Sequence, residues 1–365
     1  MIQHIEDIEK LEIHFSKARF TKRLVTWSQA NKRSLPWRDR WLQSNDPYVV
    51  WVSEIMLQQT VIKAVIPAYE RFLDRFQKVE DLAAASEDEV RLASRGLGYY
   101  RRFRMMHQAA QYLAANPDEI WPEDFNGWKA LPGIGDYTAA AISSICFDDP
   151  SPVVDGNVER VFCRLFDIRL EPNLPKLKKK FFKMGLDLIS QRFPGDYNQG
   201  VMELGQTTCT KQSPSCHACP MQKYCKSYEH DSQTLAPKAK AKIEYSQVGL
   251  SIFVPKRGKL IGLKKRPNDS KFLKETWGFP TAISKGNTLA WDGSVSLNLK
   301  AHLKSESIGT VKHSITSHKI KAEVFPMTLK LSEDLRWFES QQVEENLLSN
   351  LDRKAWKAFL KSQEV

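Results

Sequence analysis

A mainly α-helical N-terminal region followed by a smaller C-terminal α+β domain is the architecture this sequence predicts, and three observations predict it. Apolar residues recur at helical spacing from Phe15 to Leu204. A polar stretch rich in Ala, Pro and Lys, HDSQTLAPKAKAK from His230 to Lys242, then interrupts the pattern. Beyond it, β-branched and aromatic residues alternate between Gly, Pro and Asn turns. A chain of 365 residues exceeds one typical core. The expected organisation is a helical domain over 1–229, a linker over 230–243 and a second domain over 244–365.

Composition bounds the function. With 42% hydrophobic residues the chain can bury sizeable cores, and its mean hydropathy of −0.45 with no long apolar run argues against a membrane span. Lys and Arg number 54 against 43 Asp and Glu, a net charge of +11 that suits a polyanionic partner. Met1 to Lys17 mixes acids, bases and histidines without the apolar core of a secretory signal, so a soluble cytoplasmic protein is expected. In that reducing compartment six cysteines, four of them clustered, point to a metal site rather than to disulfides.

Taken in order, Phe15 to Ala30 has helical spacing and runs into Leu35-Pro36-Trp37-Arg38, where proline is expected to end the helix. Asp46 to Thr60, DPYVVWVSEIMLQQT, reads as an N-capped apolar helix that holds Glu54. A carboxyl among Trp51, Val52, Ile55 and Met56 would be held protonated by desolvation and could donate a proton near neutral pH. On a solvated helix face it would be an ordinary glutamate. Helices over Val61–Phe76 and Glu87–Arg95 read as structural. A turn at Gly96-Leu97-Gly98-Tyr99-Tyr100 follows, with Arg101, Arg102 and Arg104 behind it as an edge for phosphates and stacked bases. Asn116 to Trp128, rich in Pro and acids, reads as a connection.

The most informative stretch is Leu131 to Val158. Gly133 and Gly135 open an alanine-rich helix, Tyr137 to Ile145, whose first free N–H groups and positive dipole end suit a phosphate, although the same pattern fits a turn between core helices. Asp155 stands between apolar valines at the start of another helix, Val158 to Leu165, where a buried carboxylate needs a partner or a task. Leu174 to Lys183 is basic with interleaved apolar residues, the pattern of a solvated helix face. Phe193 to Leu204 leads into Cys209, Cys216, Cys219 and Cys225, spaced C-x6-C-x2-C-x5-C. Four thiolates in so short a loop suit tetrahedral zinc or an iron–sulfur cluster. Cys146 and Cys163 read as core residues. After the linker, strands are expected over Glu244–Val254, Lys259–Leu263 and Ile320–Leu331, with a closing helix near Glu344–Lys361.

LPGIGDYTAAA with VVDGN, DPYVVWVSEIMLQQT, GLGYY and the four-cysteine spacing together resemble the endonuclease III superfamily of base-excision DNA glycosylases, and within it the MutY branch. The resemblance is close from Leu35 to Cys225 and looser from 245 onward. It implies a helix-hairpin-helix glycosylase domain, Glu54 as the catalytic acid, and Asp155 as the group that stabilises the sugar cation. Tyr137 and Asn157 orient these two. It places Gln58 and Gln59 as candidate wedges in the duplex, Tyr99 in the base stack, Gly133 and Gly135 at the DNA backbone, and Trp37, Arg38 and Gln199 around the extruded base. The cysteine spacing is the one that holds a [4Fe-4S] cluster, with Lys211, Lys223 and Lys226 beside it. Related bifunctional enzymes carry a lysine nucleophile in place of Tyr137, so a monofunctional enzyme is implied, acting as a monomer on duplex DNA with adenine opposite 8-oxoguanine or guanine, near the nucleoid of a bacterium.

ETWGFP at Glu275–Pro280 resembles the C-terminal Nudix-like domain of the same branch, which inspects 8-oxoguanine. The Arg-Glu and paired glutamates of a Nudix hydrolase do not follow Gly278, which argues against pyrophosphate cleavage. A Phe-Ser-His recognition turn is replaced here within His313–His318. In one register Thr316-Ser317-His318 matches it except for phenylalanine; in the other Ile315-Thr316-Ser317 takes its place. That departure keeps open a glycosylase for another mispaired base. A non-catalytic lesion-binding protein is the second alternative, and the pair Glu54 and Asp155 argues against it, because binding requires neither acid.

Overall fold

The computed structural model describes residues 2–116, 121–240, 244–270, 272, 274–285, 306–328 and 335–364. The chain divides into two compact units, Met1–Ala93 with Tyr99–Ala241 and Ser94–Gly98 with Lys242–Val365.

The first unit is helical. Its first half holds α1 (Lys17–Asn31), α2 (Pro36–Ser44), α3 (Pro47–Leu57), α4 (Ile62–Arg75), α5 (Val79–Ala84), α6 (Glu87–Ala93) and α7 (Arg101–Ala114). Its second half holds α8 (Phe125–Ala130), α9 (Asp136–Phe147), α10 (Gly156–Leu165), α11 (Pro175–Leu188), α12 (Pro194–Thr207) and the short α13 (Lys226–Glu229). Every residue of α3 from Pro47 to Met56 is buried. A helix apolar on all sides must be covered on all sides, and α2, α4, α7 and α9 surround it. Phe20 and Leu24 of α1, Phe162 of α10, Phe181 of α11 and Tyr197 of α12 belong to the second large cluster of this unit. Burying each such side chain contributes roughly 1.5–3 kcal/mol, so these helices make a rigid frame.

Local expectations needed four corrections in this unit. Pro36 opens α2 instead of closing α1, which ends five residues earlier at Asn31; the proline ring fixes the φ that a first helical turn requires. The connection expected over Asn116–Trp128 contains the start of α8, capped where Gly127 N donates to Asp124 Oδ1 at 2.7 Å; residues 117–120 of that stretch lie outside the described residues. The segment read as a linker is bound to the first unit as far as Lys238. Arg164 Nε donates to the carbonyls of Gln233 and Ala236 at 3.0 and 3.1 Å, Ser232 Oγ donates to Asp167 Oδ1 at 2.8 Å, and Lys238 N donates to Leu170 O at 3.0 Å. Its polar composition serves buried partners far away in sequence. Cys163 is core as expected, whereas Cys146 is only half-buried.

Among the described residues, the second unit is a mixed sheet with two helices. The strands are β1 (Ser246–Arg257), β2 (Leu260–Lys265), β3 (Trp277–Gly278), β4 (Thr281–Lys285), β5 (Gly309–Ile315), β6 (His318–Thr328) and β7 (Arg336–Glu339). They run in the order β3-β2-β1-β6-β5, with β4 on β1 and β7 on β2. β1 and β6 are parallel, from Ser246 opposite His318 to Lys256 opposite Thr328, and β5 and β6 form an antiparallel hairpin. The closing helix is in fact two, α14 (Ser340–Asn346) and α15 (Asn350–Gln363). Ser349 divides them, its hydroxyl accepting from Leu351 N at 3.1 Å as a cap. Val343, Leu351, Ala355, Trp356 and Phe359 cover the sheet core of Leu250, Ile252, Leu263 and Val324. The short strands β3, β4 and β7 and the hairpin strand β5 were not expected from the sequence. Of the strand expected over Ile320–Leu331, the part after Thr328 lies outside the described residues.

Candidate active site

A cleft of about 600 Å³ opens in the first unit, and Trp37, Arg38, Glu54, Tyr137, Asp155, Asn157 and Gln199 all line it. These seven expected residues come from α2, α3, α9, α10, the turn before α10, and α12. Sequence distance between them is large, and the bundle removes it.

Glu54 stands at the centre. It is 5% exposed, which excludes the solvated-face reading. Burial, the dominant cause, pushes its carboxyl up to about 7; the Asp155 charge raises it further, while the Tyr137 hydroxyl and Arg38 oppose the rise. Tyr137 Oη donates to Glu54 Oε2 at 2.8 Å and lies 3.3 Å from Met202 Sδ. Burial foremost, and then the two neighbouring carboxylates, hold the Tyr137 phenol well above its ordinary range, so it is a donor and not an anion. Removing that donor takes away an interaction favouring the charged acid. Tyr137→Phe is therefore expected to raise the Glu54 pKa above about 7 and to shift the alkaline fall of activity to higher pH. A pH–rate profile of the variant beside wild type checks this, and an unmoved or lowered limb would contradict it.

Asp155 is the N-cap of α10. Its Oδ1 accepts from Asn157 N at 2.9 Å and Val158 N at 2.8 Å, and Asn157 Nδ2 donates to Oδ2 at 2.8 Å. Three donors fix the carboxylate in place. Asn157 is itself held, because Arg160 Nη2 donates to its Oδ1 at 2.9 Å and to Gly205 O at 2.6 Å, while Arg160 Nε donates to Cys209 O at 2.9 Å. Gly205 is needed at this approach of α12 to α10: a Cβ there would stand 2.7 Å from Asn157 Cβ. Behind the loop, the buried Asn198 accepts from Val153 N at 3.1 Å and donates to Ser144 Oγ and Ser151 O, both at 2.8 Å.

The mouth of the cleft carries a buried ion cluster. Glu203, 1% exposed, pairs with Arg33 and with Arg38 Nη2 at 3.0 Å, and Arg33 also binds Gln206. Arg160, Asn198, Arg33 and Glu203 were all missed in the sequence reading. The signal for Glu203 was the same as for Glu54, a carboxylate flanked by Met202 and Leu204 on an apolar helix. Nothing local marked the arginines.

The residues expected at DNA lie on turns of this unit. Gln58 Nε2 donates to Thr138 Oγ1 at 3.2 Å, whereas Gln59 is exposed with φ of +56°. Tyr99 is 57% exposed with φ of +48°. Gly133 takes φ of +77° against Met105, and Gly135 caps α9 with open space where a Cβ would stand. In the second unit, Thr316 and Ser317 form the tip of the β5–β6 hairpin, Thr316 with φ of +50°. His318 is buried, its ring 5.6 Å from that of Phe272.

Among the described residues no group of three or more His, Cys, Asp or Glu stands ready to hold a metal ion. The four cysteines are nevertheless neighbours. Burial foremost, with the nearby cysteines adding to it and backbone hydrogen bonds opposing it, pushes the thiols of Cys219 and Cys225 up to about 12 and 11. Arg164 Nη1 donates to Cys209 Sγ at 3.3 Å and to Thr210 O at 2.6 Å. A cation directed at a thiol in a four-cysteine loop is what thiolate ligation needs.

The HhH-GPD superfamily model, described as a base excision DNA repair protein, matches residues 52–184. The adenine DNA glycosylase of Buchnera aphidicola subsp. Acyrthosiphon pisum is 30% identical over 285 residues, 78% of this chain and 80% of the relative. That of Mus musculus is 40% identical over 215 residues, 58% of this chain and 42% of the relative. The chain spans less than half the length of the mouse, rat, Arabidopsis thaliana and human relatives. The structure of a thermostable thymine-DNA glycosylase is 26% identical with a TM-score of 0.52, covering 59% of this chain and 97% of that one.

Proposed function

This chain belongs to the adenine DNA glycosylase family, and from that premise we propose that it excises adenine mispaired with 8-oxoguanine or guanine in duplex DNA by hydrolysing the N-glycosidic bond. The observation that carries the reading is the buried Glu54 beside the tethered Asp155 in one cleft. An acid that titrates near 7 keeps a substantial protonated fraction at physiological pH and can donate.

The extruded adenine enters the cleft between Trp37, Arg38 and Gln199. Glu54 donates its proton to adenine N7, which turns the base into a neutral leaving group. The C1′–N9 bond breaks with its electron pair going to N9, and the sugar becomes oxocarbenium-like. Asp155, fixed by three donors, stabilises that cation without reorganising. Water adds to C1′ and loses a proton, completing hydrolysis. Tyr137 holds no amine, so no Schiff base with the sugar forms and the enzyme is monofunctional.

The cysteine loop fits a [4Fe-4S] cluster by its donor set, four sulfurs in one loop with the Arg164 guanidinium on that of Cys209. A bound cluster would staple the loop that receives Arg160 and Arg164. Purified protein is expected to contain four iron and four sulfide per chain, and each Cys→Ser variant to lose iron; zinc in its place would contradict the assignment. The second unit, which we read as a Nudix-like module without hydrolase activity, carries Thr316 and Ser317 at the β5–β6 tip as the candidate residues for recognising 8-oxoguanine. The buried His318 supports that tip from behind. The protein is expected to act as a cytoplasmic monomer.

Single-turnover release from duplexes with adenine opposite 8-oxoguanine, adenine opposite guanine, and thymine opposite guanine tests the target. Adenine alone should be released, faster opposite 8-oxoguanine, and no borohydride-trapped protein–DNA adduct should keep pace with it. Preferential loss of thymine would assign a different base.

A further inference from the structure

Two exposed residues with strained backbones stand on neighbouring turns, Gln59 after α3 and Tyr99 before α7. Left-handed φ at a non-glycine residue persists only where surrounding structure enforces it. One residue bonds to both turns, through its backbone amide on one side and its side chain on the other. The amide of Arg102 donates to Tyr99 O at 3.1 Å. Its guanidinium, buried beneath the surface, donates through Nη1 to Ile55 O at 2.9 Å, Met56 O at 3.0 Å and Gln58 O, and through Nη2 to Thr60 Oγ1 at 3.0 Å. Three of those acceptors are carbonyls at the C-terminus of α3 and the turn after it, where a cation complements the helix dipole, and the fourth is the Thr60 hydroxyl. A single arginine thus spans from the Tyr99 carbonyl to the Gln58 carbonyl.

We propose that Arg102 is a positioning residue for base extrusion, locking the Gln58–Thr60 turn to the Tyr99 turn so that their side chains enter the duplex at one fixed separation. It touches neither base nor sugar and leaves the proton chemistry of Glu54 alone. This rests on the glycosylase reading above. Lysine could reach some of the same carbonyls from one point, but it lacks the planar fork that serves several at once. Extrusion requires breaking stacking and pairing, and that demand is smallest for an adenine with no partner base.

The distinguishing comparison is single-turnover adenine release at saturating protein from two duplexes, adenine opposite 8-oxoguanine and adenine opposite a tetrahydrofuran abasic analogue. On the mispair, Arg102→Met should be slower by about tenfold or more and Arg102→Lys by roughly threefold, since small misplacements of positioning groups act on this scale. On the unpaired adenine both should fall within about twofold of wild type, because little extrusion work remains. A 2-aminopurine beside the target should show the matching loss of unstacking on the mispair only. Equal slowing on both duplexes, or no slowing on either, overturns the assignment. If Arg102→Met does not fold by circular dichroism, Arg102→Lys carries the same comparison. Wild-type protein that releases no adenine from either duplex overturns the glycosylase reading itself, and this assignment with it.

Discussion

Glu54→Gln is expected to abolish adenine release, with single-turnover rates falling by about 10²–10⁴, the usual contribution of a general acid, while the protein becomes more stable. The second half of this result follows from linkage. The folded-state carboxyl sits at about 7, raised chiefly by burial, whereas the unfolded one titrates near the ordinary value of about 4.3. Between these values the unfolded chain has lost a proton that the folded chain keeps, so wild-type stability falls as pH rises through this window and stays low above it. Glutamine keeps the shape and can still accept from Tyr137 without charge. The gain in the variant should be near zero below pH 4, grow through the window, and level off above pH 7 at roughly 3–4 kcal/mol. Denaturant titrations at pH 4 and pH 8 measure it. A variant destabilised equally at both would mean that Glu54 serves the fold and not the chemistry.

Asp155→Asn separates the two tasks of that residue. Asparagine is as good an N-cap as aspartate, so α10 should remain in place, with a stability loss of about 1 kcal/mol or less. The Asn157 side chain would have to turn its amide to meet the new donor. The negative charge facing the sugar is gone, and release of adenine should fall by about 10²–10³, the scale seen when one fixed electrostatic group is removed. Thermal melts beside single-turnover assays distinguish this from unfolding. Near-wild-type activity would show that charge at Asp155 is not needed.

Much of the site could be read from residues alone. Trp51, Val52, Ile55 and Met56 around Glu54 made burial one of two readings, the resemblance favoured it, and the 5% exposure of Glu54 decides it. Asp155 was expected as a partly buried carboxylate at the start of a new helix, and the structure makes it the N-cap. What escaped were groups whose partners are distant in sequence: Arg160 beneath Asn157, Asn198 behind the 151–153 segment, and Glu203 with its partner Arg33. An arginine at a helix surface and an arginine buried under a carbonyl cluster have the same local sequence. The bound stretch from His230 to Lys238 was misread for the same reason: its docking depends on Asp167 and Arg164, and composition reports only its polarity. In the second unit, two-residue and four-residue strands such as β3 and β7 carry too little alternation to be read, and pairing with β2 defines them.

The most direct test of the central claim, that a desolvated and protonated Glu54 drives adenine excision, is the pH dependence of single-turnover adenine release from a duplex with adenine opposite 8-oxoguanine. The account predicts a rate that falls above about pH 7 as Glu54 ionises, with adenine the only base released. A rate that stays level from pH 7 to pH 9, or a duplex that is bound and never loses adenine, would contradict it.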